Sequence, residues 1–364
     1  MPNQRFHEID LLRGLACVAV VAYHYLSRGQ HGGWITSATH PAIEAVVRYG
    51  YLGVHLFFMV SGFVIFMSAQ GSSVRNFAAS RAARLYPALW VAAPLTVAFA
   101  WAFHRTEFEV SLSTLLINLT MVPQWFKVEF VDGAYWSLAV ELQFYLLVAL
   151  AIAFNGLRRP QTCVAAWLAI SAVNALRPMY PLEFWLAAKW APLFCAGICF
   201  YLIATRGRSP ARLGLIACSY VLAVFYEAGP DLRGSAAGAP DLAKAGVEVA
   251  VLTAFYALFF GFTASQKRLK RTPVSVWAGL LTYPVYLLHQ NIGYIVLEAL
   301  APSGLGFGLR VLLTAAVIAV LAWAVVKFVE RPLAPRLRGW IDGPPADPGR
   351  SLGEVGGERR RWVG

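Results

Sequence analysis

Ten apolar segments separated by short polar connections run through this chain, at 10–26, 50–69, 85–104, 135–155, 161–177, 184–204, 211–227, 245–263, 274–298 and 308–329. About 20 apolar residues cross the ~30 Å hydrocarbon core of a bilayer as a helix, and several of these segments sit near the short end of that range. No alternating ten-residue strand pattern points to a barrel. Hydrophobic residues make up 58% of the 364 and charged residues 14%, against about 25% charged in a soluble domain. The expected fold is therefore all-α, a polytopic transmembrane helix bundle of about ten spans. This composition excludes a soluble catalyst.

The connections carry the topology. Loop 70–84 holds Arg75, Arg81 and Arg84, loop 156–160 holds Arg158 and Arg159, loop 205–210 holds Arg206 and Arg208, and loop 264–273 holds Lys267, Arg268, Lys270 and Arg271. None of the four contains an acidic residue, whereas the alternate connections 105–134 and 228–244 mix signs. Cytoplasmic loops carry the Lys and Arg excess, so this alternation predicts both termini in the cytoplasm. It also accounts for the net charge of +12 without a nucleic-acid partner. The first segment carries Arg13 and no convincing small-residue cleavage site, so it reads as a retained anchor. The five cysteines all fall in apolar segments and show no metal-ligand spacing. Residues 1–340 are expected to form one integral-membrane domain. The Gly-, Pro- and charge-rich stretch 341–364 is expected to be a disordered cytoplasmic tail, and the apolar piece 111–123 a re-entrant or interfacial element on the outer side.

Within the slab, polar residues are costly and mark function. Arg13 and His24 lie eleven residues apart, which at about 100° per residue returns to within roughly 20° of the same face, about 16 Å further along the axis. Singly, each also fits an interfacial side chain reaching for headgroups; together they line an interior stripe. With the fourth segment running inward, Glu141 sits about 9 Å in from the outer end, with Ser137 on its face. His289 falls in the outer half of the ninth segment, with Thr282 and Tyr286 on its face, and His55 enters the second segment from outside. His24, Glu141, His289 and His55 are thus expected at similar depth, as an acid–base set or as an interhelical hydrogen-bond cluster. At the inner face, Arg81 and Arg84 are expected where the third helix begins, spaced to act together on one phosphate-bearing ligand. They serve equally as positive-inside charges. Glu330-Arg331-Pro332 closes the last helix at the same face.

Five blocks over residues 8–332 together resemble the membrane-bound acyltransferase 3 family of O-antigen and peripheral-carbohydrate O-acetylases. They are Arg13 with His24; Gly53-Val54-His55-Leu56-Phe57-Phe58-Met59-Val60-Ser61-Gly62-Phe63-Val64-Ile65; Arg81-Ala82-Ala83-Arg84-Leu85-Tyr86-Pro87; Tyr135-Trp136-Ser137-Leu138-Ala139-Val140-Glu141-Leu142-Gln143-Phe144-Tyr145; and Tyr283-Pro284-Val285-Tyr286-Leu287-Leu288-His289 with Glu330-Arg331-Pro332. The resemblance implies transfer of an acyl group, usually acetyl, from cytoplasmic acyl-CoA to a hydroxyl of an extracytoplasmic glycan, lipid or secondary metabolite. It implies His24 as the essential helix-1 histidine with Arg13 as its partner, Arg81 and Arg84 as the basic pair toward the donor, and Glu141 as the helix-4 glutamate. The chain departs from many members at His55, where they carry Asp, and at Leu142, where they carry a second Glu. With no appended periplasmic hydrolase-like domain in the sequence, acceptor chemistry is expected inside the bundle.

The function expected is that of a multi-pass O-acyltransferase of the bacterial inner membrane. His24, Glu141, Arg13 and His289 are its catalytic candidates, Arg81 and Arg84 bind acyl-CoA, and no metal or permanently bound cofactor is expected. His24 either deprotonates the acceptor hydroxyl or takes the acyl group itself. The rival is a transporter or flippase of an acylated or anionic substrate, which inverted repeats would favour; none is apparent.

Overall fold

The computed structural model describes residues 6–234, 239–264 and 270–342, and every regular element among them is helical. The principal helices are α1 (His7–Tyr23), α2 (Gly53–Ala69), α3 (Val74–Ala102), α4 (Trp136–Ala153), α5 (Pro160–Leu176), α6 (Ala191–Arg206), α7 (Pro210–Glu227), α8 (Leu242–Ala264), α9 (Pro273–Leu288), α10 (Asn291–Ala299), α11 (Phe307–Val325) and α12 (Arg331–Asp342). Eight helical stretches among the described residues are long and apolar enough to cross a membrane, and α5 and α9 are shorter apolar helices. The expectation of an all-α transmembrane bundle is borne out.

Where the chain departs from expectation, local chemistry explains it. α3 begins at Val74, not at Leu85, because the Ser73 hydroxyl accepts from the Asn76 main-chain N–H at 3.1 Å and caps the helix about three turns early. Arg81 and Arg84 therefore lie within α3 rather than at its start. The ninth apolar segment is not one helix: α9 stops at Leu288, and α10 starts at Asn291 after a break at His289 and Gln290. Helix also continues through Asp342, taking in the first two residues of the expected tail; residues 343–364 lie outside the described residues. The piece at 111–123 holds a short helix, Leu112–Asn118, and the start of a 3-10 turn, Pro123–Phe126.

Two helices contain single wide π turns. One, His24–Arg28, prolongs α1; the other, Val326–Glu330, joins α11 to α12. Such turns insert a residue into the helical register and recur at functional sites. At the centre of the bundle α2 packs along α6, while α1 packs against α9 and α2. Lipid removes the hydrophobic drive between helices, so close packing must hold them. Gly62 and Gly197 allow it: a β-carbon at Gly62 would collide with the Phe194 main-chain carbonyl, and one at Gly197 with that of Met59. The aromatic rings of Phe58, Phe144 and Phe194 fill the space around this crossing.

Candidate active site

At the end of α1, the π turn begins on His24, which lies half-buried on the wall of a cavity of about 570 Å³. Its Nδ1 lies 2.8 Å from the Val20 carbonyl oxygen. A carbonyl only accepts, so Nδ1 carries the proton and the lone pair is left on Nε2. His289 is fully buried, and its Nδ1 lies 2.8 Å from the Tyr286 carbonyl. By the same reasoning its Nε2 is the acceptor, and it lies 3.3 Å from His24 Nδ1. The rings meet edge to face, 4.8 Å between centroids. The Gln290 amide also hydrogen-bonds His24. The pair is therefore polarised toward His24 Nε2.

The break between α9 and α10 brings His289 and Gln290 to this place. A broken helix at membrane depth must satisfy its freed main-chain groups within the protein. Here the Tyr135 hydroxyl donates to the Leu287 carbonyl at 3.1 Å, and the Tyr25 hydroxyl to the His289 carbonyl at 2.8 Å. On the far side of the break, Asp132 Oδ2 accepts from the Asn291 N–H at 2.9 Å, while its Oδ1 accepts from the Ala134 N–H at 2.8 Å. The Asn291 side chain returns a bond to the Val131 carbonyl at 3.0 Å. Burial pushes the Asp132 carboxyl up to about 7, against the downward pull of the two N–H donors. Asp132, Gln290 and Asn291 escape the sequence reading. Asp132-Gly133 ahead of an aromatic run carries an N-cap pattern, but nothing local marks its second grip on Asn291.

His55 lines the same cavity as His24, yet its Nε2 is committed to Glu227 at 2.8 Å. Glu227 is the partner that the sequence did not suggest. Glu141 does not reach the histidines. It accepts a short hydrogen bond from Ser61 and a further one from the Tyr145 hydroxyl, and it borders a smaller cavity of about 50 Å³ together with Arg13 and Ser137. Ser137 in turn shares a 2.6 Å hydrogen bond with the Tyr286 hydroxyl. Tyr286 and Val54 line both cavities, so the Glu141 chamber abuts the His24 chamber through them.

Arg13 lines the small chamber and also a third cavity, of about 620 Å³, where Ser80, Arg81, Arg84, Arg331 and Arg338 gather. Arg84 Nη1 lies 3.4 Å from Glu330 Oε2, and its guanidinium lies over Tyr283 at 5.5 Å. Arg81 instead donates to Ser80 at 2.8 Å and lies between the rings of Phe77 and Tyr145, 5.9 Å from each. The two arginines thus share a chamber but not a state, since one is already paired with a carboxylate. Arg331 and Arg338 join them because the π turn Val326–Glu330 directs α12 back along α3. Three chambers therefore stand in series from the arginines, past Arg13 and Glu141, to His24, with His289 buried behind it.

The model of the acyltransferase domain family matches residues 6–329. Among curated proteins, the chain is 24% identical to the peptidoglycan O-acetyltransferase OatA of Listeria monocytogenes, over 92% of this chain and 56% of that protein. It is 27% identical to YrhL of Bacillus subtilis, named provisionally as a peptidoglycan O-acetyltransferase, over 38% of this chain and 22% of that one. It is 28% identical to BcsY of Komagataeibacter xylinus, named provisionally as a membrane-bound transacylase, over 40% and 37%. The chain spans at most 56% of the length of these relatives. No solved structure matches it. A family match over nearly the whole described chain, on an all-helical bundle with eight membrane-length helices among the described residues, shows that this chain belongs to the acyltransferase 3 family.

Proposed function

We propose that the protein transfers an acyl group, acetyl in the first instance, from acyl-CoA at the arginine-lined chamber to a hydroxyl of a glycan in the His24 chamber. The carrying observation is the series of chambers along α1, with a phosphate-compatible cluster at one end and an oriented imidazole at the other. Arg81 and its neighbours would take the CoA phosphates by charge-assisted hydrogen bonds. The acyl-pantetheine arm would then lie past Arg13 toward His24, a distance of about 16 Å at 1.5 Å per residue. His24 Nε2 takes the proton of the acceptor hydroxyl as its oxygen adds to the thioester carbonyl. The tetrahedral intermediate collapses with cleavage of the C–S bond, and the departing CoA thiolate takes that proton back from His24. His289 Nε2, holding the Nδ1 proton of His24, supports the imidazolium formed between these steps. The Gln290 amide beside His24 is a donor for the oxyanion. Glu141, bound to Ser61 and Tyr145, holds the middle of the passage and faces the Arg13 charge.

The names of OatA and YrhL favour a peptidoglycan hydroxyl as the acceptor. In this reading the His24 chamber faces outside and the arginines inside, which the charge alternation of the loops supports, and the membrane is a bacterial inner membrane. Residues 1–340 act as one domain in this scheme. The test is mass spectrometry of surface glycans from cells carrying the parent protein or His24→Ala. His24→Ala should abolish acyl modification at unchanged abundance in the membrane, and modification at the parental level would remove His24 from the chemistry. Vesicles in which labelled acyl groups cross the membrane without becoming covalently attached to an acceptor would favour a transporter instead.

A further inference from the structure

Beside the His24 chamber lies a second cavity, of about 440 Å³, and the two share Tyr23, Arg28, Tyr51 and Glu227 on their walls. Its charged residues are mostly spoken for. Lys244 is paired with Asp231 at 2.9 Å and with Glu248 at 3.5 Å, His31 lies 3.5 Å from Glu44, and Glu227 is held by His55 at 2.8 Å. Arg28 and Arg48 differ: neither forms an ion pair with a carboxylate among the described residues. Arg28 lies 5.1 Å from the Trp34 ring and Arg48 5.8 Å from the Tyr49 ring. A ring beside a guanidinium positions it and leaves its fork of N–H donors for another partner.

The backbone explains why these two exposed cations line one cavity beside the end of α1. Arg28 closes the π turn that opens on His24, so it follows the histidine round one wide turn. Arg48 ends the short helix Pro41–Val47, which leads through Gly50–Leu52 into α2. A planar guanidinium fork matches the two oxygens of a carboxylate or phosphate. We propose, on the basis of the acyl-transfer function above, that Arg28 and Arg48 form an anion subsite that holds a carboxylate or phosphate group of the acceptor while its hydroxyl lies at His24. The acceptor class is thereby a hydroxylated compound with an anionic substituent, either an acidic sugar or a sugar on a phosphate-bearing carrier.

Binding to the purified full chain in nanodiscs tests this with three probes: neutral chitobiose, the matching disaccharide whose second sugar carries an O-lactyl carboxylate, and chitobiosyl 1-phosphate. At least one anionic probe should bind tenfold or more tightly than chitobiose, with an affinity that falls as salt is raised. Which one does so distinguishes the acidic sugar from the phosphate carrier. Arg28→Gln and Arg48→Gln should each weaken that probe at least tenfold and leave chitobiose unchanged, which also reports an intact fold. Arg→Lys at either position should restore part of the loss. Anionic probes that bind no better than chitobiose, or that are indifferent to both variants, overturn the subsite. Because binding is read directly, His24→Ala should keep the anionic affinity. A parent protein that binds the anion but acylates nothing overturns the acyl-transfer function and leaves the subsite standing.

Discussion

Arg81 and Arg84 show how one residue type takes different duties in one chamber. Arg84 is matched to Glu330 at 3.4 Å, so part of its charge is already answered, while Arg81 has only the Ser80 hydroxyl and two aromatic rings. A charge-assisted contact to phosphate is worth roughly 1.5–3 kcal/mol, or about 10- to 150-fold in affinity. Arg81→Ala should therefore raise the acyl-CoA concentration for half-maximal transfer at least tenfold in inverted vesicles, with little effect on acceptor dependence. Arg81→Lys should recover only part, because an ammonium lacks the planar fork. Arg84→Ala should in addition lower the melting temperature, since it strands a buried Glu330, and Glu330→Gln on that background should recover stability more than donor affinity. Both variants binding acyl-CoA like the parent would reduce the pair to a topology feature and send the donor site elsewhere on that face.

Among the elements, the joint between α9 and α10 does most to place the His24–His289 pair. It is held by tyrosines from the π turn after α1 and from the turn before α4, and by the two grips of Asp132. The Asp132 carboxyl, raised by burial to about 7, keeps its proton in the folded protein at pH values where the unfolded chain has lost it, above about 4. The folded state then binds more protons than the unfolded one, so stability falls as pH rises between those values and levels off above about 7. Asp132→Asn removes this titration. Melting temperatures taken from pH 5 to pH 8 should decline with pH in the parent relative to Asp132→Asn, and then run parallel. Parallel curves over the whole range would mean that Asp132 is not buried as described. The amide supplies only one acceptor oxygen for two N–H donors, so the variant should also lose transfer activity at every pH.

For the whole molecule, the three chambers matter only if they open to opposite sides of the membrane. Reporter fusions after Arg75 and Arg208 should report the cytoplasm, and a fusion after Val110 the outside, as the loop charges require. If the fusions after Arg75 and Val110 report the same side, the arginine and His24 chambers do not face opposite compartments and the proposed transfer across the membrane fails.

Much of this architecture is local in origin. Hydropathy over about 20 residues specifies a spanning helix, and the 3.6-residue period places Arg13 and His24 on one stripe of α1 whatever surrounds it. That is why the helical fold, the Arg13–His24 line and the candidates His289 and Glu141 can be read from the chain alone. Periodicity gives a side chain's direction from its own axis but not the helix it will face. Glu141 meets Ser61 and Tyr145 rather than a histidine, and His55 meets Glu227, 172 residues away. Asp132 meets Asn291 across 159 residues, and the His24–His289 contact spans 265. Each of these depends on which helices are neighbours and at what rotation, and that is decided by close approaches such as Gly62 against Gly197 and by the break at His289–Gln290. In a bilayer every buried polar group must find its partner within the protein, so only the assembled bundle determines which polar residues become a pair.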